Sequence, residues 1–83
     1  QHPNALKPGK RPFHTIIPAL LEKDEVQIGF GIMGGANQPL AHAQFVSSIV
    51  DHGMNLQAAL EAPRFSKQQP TGCDVYIEKR VGE

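Results

Sequence analysis

The chain has 83 residues, 40% of them apolar, and eight basic side chains balance eight acidic ones. That length supports one small domain burying roughly 60–65% of its unfolded surface, and zero net charge removes the electrostatic footprint of a nucleic-acid binder. A lone Cys73 excludes an internal disulfide framework, no Cys/His spacing fits a zinc site, and the longest apolar run, Ile16 to Leu21, is too short for a bilayer.

In chain order, residues 1–11 read as an extended lead-in, because Pro3, Pro8 and Gly9 oppose helix. Its basic cluster, Lys7 to Arg11, reads as a solvated loop. A β-hairpin is expected over 12–33. Its first strand runs from Phe13 to Leu21, with Pro18 removing one ladder donor. Glu22-Lys23-Asp24-Glu25 forms the connection, and Val26, Ile28, Phe30 and Ile32 then alternate with Gln27, Gly29 and Gly31. The second strand so presents one bulky face and one small face, the latter needing cover from outside this chain.

Two helices are expected over 37–62. Asn37 offers an N-cap and Pro39 fits a first turn. Gln44, Ser47, Ser48 and Asp51 form a polar face opposite Phe45, Val46, Ile49 and Val50. Gly53 suits the end of that helix, Asn55 caps the second, and Pro63 stops it. Residues 64–72 read as loop and 74–79 as a last strand. Strand, strand, helix, helix, strand defines an α+β class with helices on at least one side of a sheet. The chain opens without Met at Gln1 and stops at Val81-Gly82-Glu83 just past a strand, so the expectation is a piece of a longer protein.

Chemistry concentrates at Gly34-Gly35, where strand meets helix. Adjacent glycines admit close backbone approach, and a helix start has free N–H groups, so the pair can face a phosphate, a carboxylate or the oxyanion of a reacting carbonyl. A tight turn is the plainer reading of the same residues. In a hairpin, the start of the first strand and the end of the second share one end of the sheet. His14 and Thr15 thus come toward Gly34 and Gly35, either as donors or as ordinary strand residues. His42 and His52, about 15 Å apart along a helix, cannot share a metal. Both read as helix-surface residues, and Asp51 as a solvated one. Cys73 lacks a basic neighbour that would activate it. Arg64 either clamps a carboxylate or orders a turn. No metal ion or other cofactor is expected.

Pro8-Gly9-Lys10-Arg11-Pro12, Pro18, Gly34-Gly35, Asp51-His52-Gly53-Met54-Asn55-Leu56-Gln57-Ala58-Ala59 and Ala62-Pro63-Arg64-Phe65 occur in an order that resembles the γ-glutamyltranspeptidase family. The likeness runs from about Asn4 to Glu78 and is greatest to the bacterial branch with His-Thr-Ile-Ile-Pro after Lys-Arg-Pro. It implies an N-terminal-nucleophile hydrolase of αββα sandwich fold, made as a precursor that cleaves itself into a large and a small subunit. This chain then corresponds to an internal part of the small subunit, and its partners are the large subunit, the upstream part of the small one, and a γ-glutamyl or related amide. The resemblance gives Gly34 and Gly35 the role of oxyanion donors through backbone N–H.

Two serines of the family's Arg-Pro-Leu-Ser-Ser-Met motif hold the substrate carboxylate, and His14 and Thr15 stand in their places. Thr15 keeps a hydroxyl. His14 brings a larger, titratable ring, so a different amide is also compatible. The Thr-Thr-His-type nucleophile segment is absent, and this piece alone is expected to be inactive. The alternative from another class is a non-catalytic, self-associating or anion-binding αβ module. Cytoplasm and periplasm both stay open.

Overall fold

A computed structural model describes residues 2–69 and 71–80; the expectations for Gln1, Pro70 and Val81 to Glu83 fall outside them. Strand β1 (Ala19–Lys23) pairs antiparallel with β2 (Val26–Phe30), from Ala19 opposite Phe30 to Lys23 opposite Val26. Only Asp24 and Glu25 make the connection, where the sequence suggested four residues. Asp24 sits at φ 54, the left-handed value that a primed two-residue turn requires and that Asp tolerates. Glu22 and Lys23 consequently stay in the ladder, and Gln27 Nε2 donates to Glu22 Oε1 across it at 3.0 Å.

The first strand therefore lies later than expected. Residues 13–18 carry no strand pairing, consistent with the donor that Pro18 lacks. Nor is the lead-in extended: Ala5 N–H returns to His2 O at 2.9 Å. The Asn4 amide closes a loop by accepting from Phe13 N–H at 2.7 Å and donating to Phe13 O at 3.4 Å. Lys10 Nζ donates to the Pro3 and Ala5 carbonyls inside it.

A single 3-10 turn over Gly35–Asn37 feeds helix α1 (Gln38–Val50). Asn37 holds the N-cap position with helical dihedrals, not the extended ones of a capping residue, and makes no capping side-chain bond; its own N–H donates to Gly34 O at 3.0 Å within the 3-10 turn. The helix buries Gln38, Ala41 and Phe45, which lie three and four residues apart on one stripe. Phe30 of β2 meets that stripe, its ring 4.8 Å from Phe45 and 5.1 Å from His42. Hairpin and helix thus cover each other at one aromatic contact.

The inward stripe is rotated from the one that hydrophobicity suggested. Gln44 and Ser48 are half-buried, whereas Val50 is 63% exposed. The α1 end is secured by Gly53 at φ 64, beside which Met54 N–H reaches Ser48 O at 3.0 Å. Asn55 then caps α2 (Leu56–Glu61), its Oδ1 accepting from Ala58 N–H at 2.8 Å. Ala62 turns extended ahead of Pro63, and Arg80 Nη2 donates to the Glu61 carbonyl at 2.7 Å. Ala59 is the buried residue of α2.

The expected loop over 64–72 contains a strand, β3 (Phe65–Ser66). The last strand contracts to β4 (Tyr76–Ile77), which pairs with β3 and not with the hairpin. Among the described residues two separate two-stranded sheets result. What docks β3 on α1 is one side chain: Gln44 accepts from Phe65 N–H at 3.0 Å and donates to Phe65 O at 2.8 Å. An amide group here substitutes for a neighbouring strand. Gln44→Leu removes both bonds at once, and a loss of about 1–2 kcal/mol is expected. In the full-length protein, faster hydrogen exchange at the Phe65 amide with α1 protection retained is the measurement that checks this.

Candidate functional site

The glycine pair adopts a conformation that other residues avoid. Gly34 has φ 151 and ψ 14, and Gly35 has φ 55. Their carbonyls are engaged, Gly34 O by Asn37 N–H at 3.0 Å and Gly35 O by Gln38 N–H. Their N–H groups have no acceptor among the described residues, and both glycines are exposed. Two adjacent donors at a helix start are thereby left facing solvent, the arrangement that receives an anion or a developing oxyanion.

His14 is exposed and Thr15 half-buried, both ahead of β1. Among the described residues no hydrogen bond joins either of them to Gly34 or Gly35. The next stretch, Ile16 to Pro18, lines a cavity of about 320 Å³ with residues 30–33 and Gln38. The two chain segments therefore run side by side beyond the last ladder pair.

On the other side of the glycine turn lies an open cleft of about 650 Å³, bordered by Gly34, Ala36, Asn37 and residues 66–69. A third space, about 270 Å³, separates α1 from β3 and β4 and is also bordered by Asn37. The buried Oδ1 of Asn37 has no partner among the described residues. Sequence reading assigned Asn37 only a capping role and overlooked Gln44. The one available signal was Gln44's place three residues after Ala41 on the inward stripe.

The remaining candidates are separate. Arg64 does hold a carboxylate, but an internal one. Its Nη2 and Nε lie 2.7 and 3.2 Å from Glu78 Oε1, and its N–H donates to Oε2 at 2.9 Å. These bonds, side chain first and backbone second, hold the Glu78 carboxyl below the usual carboxylate range, and Glu78 in turn raises Arg64. A folded-state value below the unfolded one means the clamp contributes above the ordinary carboxylate pKa and is lost as pH falls through the depressed value. The Glu78 side-chain carboxyl, followed by NMR in the full-length protein, should titrate below the ordinary glutamate midpoint, and Arg64→Met should move it toward that midpoint without reaching it, because the backbone N–H at position 64 still donates to Oε2.

His42 is half-buried on the Phe30 ring, with its Nε2 buried and unpartnered among the described residues, whereas His52 is exposed. Asp51 accepts from Ser47 Oγ at 2.8 Å, and Cys73 is exposed and free. Among the described residues no three His, Cys, Asp or Glu side chains gather as a metal site, and no helix is long and apolar enough to cross a membrane.

A paired-donor glycine turn between a hairpin and a helix has the geometry to receive an anion or an oxyanion, and equally that of a tight turn. Comparison with known proteins identifies the family. The gamma-glutamyltranspeptidase family profile matches residues 1–83, and the chain belongs to that family. It is 38% identical to the glutathione hydrolase-like YwrD proenzyme of Bacillus subtilis (strain 168) over 65 residues, 77% of this chain and 12% of that protein. Identity is also 38% to the glutathione hydrolase proenzyme of Pseudomonas sp. (strain A14) and to the oxamate amidohydrolase proenzyme of Klebsiella pneumoniae. Each of these matches covers 66 residues, 78% of this chain and 12% of the relative. The chain thus spans about an eighth of the length of the relatives it matches.

Proposed function

We propose that this chain is an internal segment of the small subunit of a γ-glutamyltranspeptidase-like amidohydrolase or transferase. The remainder of the parent chain supplies the nucleophile and the rest of an αββα N-terminal-nucleophile sandwich. In this reading the Gly34 and Gly35 N–H groups stabilise the oxyanion of acyl transfer. The observation carrying it is the pair of solvent-facing donors at the left-handed turn, inside a chain matched to the family from end to end.

The companion role of His14 and Thr15 follows from the resemblance of their place in the chain to the family's carboxylate-binding motif; the ladder itself ends at Ala19 opposite Phe30, and Ile16 to Pro18 continue beside residues 30–33. Donors from the first segment would then hold the substrate carboxylate beside the backbone donors that meet its carbonyl. In the chemistry, the N-terminal threonine hydroxyl of the parent adds to the amide carbon as its proton passes to the α-amine. The C–N bond then breaks, the leaving amine takes that proton, and water or a second amine reverses the sequence.

Relatives at the same identity are named for glutathione and for oxamate, so identity at this level does not fix the acyl group. The test is to express the full-length parent and assay self-cleavage and release of aniline from a γ-glutamyl anilide. Two subunits and anilide turnover are expected. A parent that neither cleaves nor forms an acyl-enzyme with any of a panel of amides overturns the reading.

A further inference from the structure

Among the described residues Gln38 is the one polar residue that is buried, at 8% exposure. Its backbone N–H donates to Gly35 O and so closes the glycine turn from the helix side. Its side chain borders the cavity of about 320 Å³ that Ile16 to Pro18 share with residues 30–33. Gln27, Gln44 and Gln57 each engage their side-chain amide in a hydrogen bond. The buried amide of Gln38 has no partner among the described residues. Leaving such a group unpaired costs more than one hydrogen bond returns, and native folds avoid it. The other residues around the cavity bring apolar side chains or none, so what can meet this amide is backbone. Phe30 is held in the ladder, and residues 31–33 lead directly into the turn. Ile16 and Ile17 carry no strand pairing, and Pro18 has no N–H to offer.

Gln44 shows what the same helix does with a side-chain amide, which there takes both the N–H and the carbonyl of Phe65. Six positions apart, the two glutamines project about 120° from one another around the helix axis, one toward β3 and the other toward Ile16 to Pro18. We infer that Gln38 is a positioning residue whose side-chain amide pairs with the Ile16–Ile17 backbone in the assembled parent. Ile16 is 73% exposed in this chain, and the bond forms when the rest of the parent covers that residue and seats its segment on α1. One residue then joins two segments: its N–H holds the glycine turn, and its amide holds the stretch that follows His14 and Thr15. Both segments take their roles from the acyl-transfer function proposed above, and Gln38 fixes the spacing between the carboxylate contacts and the oxyanion donors.

A crystal structure of the full-length parent reads the joint directly: Gln38 Nε2 or Oε1 should lie within about 3.2 Å of a backbone oxygen or nitrogen of Ile16 or Ile17. Gln38→Met nearly keeps the volume and removes the bond. Hydrogen exchange at the Ile16 or Ile17 amide should then quicken about tenfold, with α1 protection retained. For a γ-glutamyl anilide, kcat/KM should fall about ten- to a hundredfold. The loss should be several times smaller for an analogue without the α-carboxylate, because only a donor held at both ends responds to the spacing. A residue that merely supports the fold would lower the two equally. The crystal structure needs no variant, and neither it nor exchange needs turnover. A parent that fails as an acyl transferase can therefore still show the joint, and an active parent can lack it. A Gln38 amide facing solvent or bonded elsewhere, unchanged exchange at both isoleucines, or equal losses on the two donors would overturn the assignment.

Discussion

Expressed alone, the 83-residue chain should melt without a cooperative transition and should self-associate. The argument is one of surface. The chain exposes 7223 Å², whereas a folded monomer of its mass exposes about 4,900 Å². Its radius of gyration is 16.3 Å, against about 12 Å for a compact domain of this length. The excess, about 2,300 Å², is more area than a standard protein interface buries from both partners together. Among the described residues Ala41, Phe45, Ala59 and Gln38 are the buried ones, and none reaches full burial. Phe13, Ile16, Leu20, Met33 and Leu60 each stay more than half exposed.

A core of that size cannot offset the entropy of ordering the chain. Circular dichroism on heating should give a broad, non-sigmoidal change, and size exclusion should give species larger than the 9.0 kDa monomer. Co-expression with the remaining small-subunit sequence should restore a sharp melt. A monodisperse 9.0 kDa monomer with a sigmoidal transition would falsify the expectation and favour an autonomous module.

The same shortage of cover explains which parts of the fold were legible in the sequence. Signals confined to a few neighbouring residues survive without tertiary partners. Asn55 ahead of α2, Pro63 after it, Gly53 at φ 64 and the alternation of Val26, Ile28 and Phe30 are of that kind. Features that depend on distant residues were not legible. Gln44 reads as a surface residue by polarity, and only its meeting with Phe65, 21 positions away, turns it into a strand partner. Strand β3 went unseen because two residues of pairing leave no periodicity, and its partner lies beyond a polar loop.

At the first strand, a run of β-branched and aromatic residues outweighed Pro18, whereas the ladder begins only after that proline. At the candidate site the glycine pair was readable because its need is local: a backbone conformation with positive φ. The cleft beside it was not readable. Lys67 stands 33 positions from Gly34, and only the β3–β4 unit brings them to one rim.

Gly34→Ala in the full-length parent should lower kcat by about 10²–10³-fold while changing the midpoint of thermal unfolding little. Space is not the obstacle, since a Cβ on Gly34 would meet only Asn37 Cβ at 3.8 Å, an ordinary contact. The backbone is. At φ 151 and ψ 14 an L-residue is strained by about 1–3 kcal/mol, and the turn relieves that strain by rotating toward a common conformation. Rotation swings the Gly34 N–H away from the carbonyl oxygen, and losing one oxyanion donor costs about 10²–10³ in rate.

Gly35 offers the internal comparison. Its φ of 55 lies in the left-handed well, and a Cβ there meets nothing within 4 Å. Asn enters that well far more readily than a β-branched residue does. Gly35→Asn should therefore retain substantial activity, whereas Gly35→Val should fall with Gly34→Ala. Single-turnover kinetics with a γ-glutamyl anilide, beside a count of active sites by an irreversible nucleophile-directed label, separate the effects, because an oxyanion defect slows acylation and leaves the number of labelled sites unchanged. Equal kcat for wild type and Gly34→Ala would return the pair to the role of a turn. Loss of activity in step with loss of folded protein would make that role structural. The donors are catalytic only if rate falls while the fold holds, and the left-handed geometry makes that separation measurable.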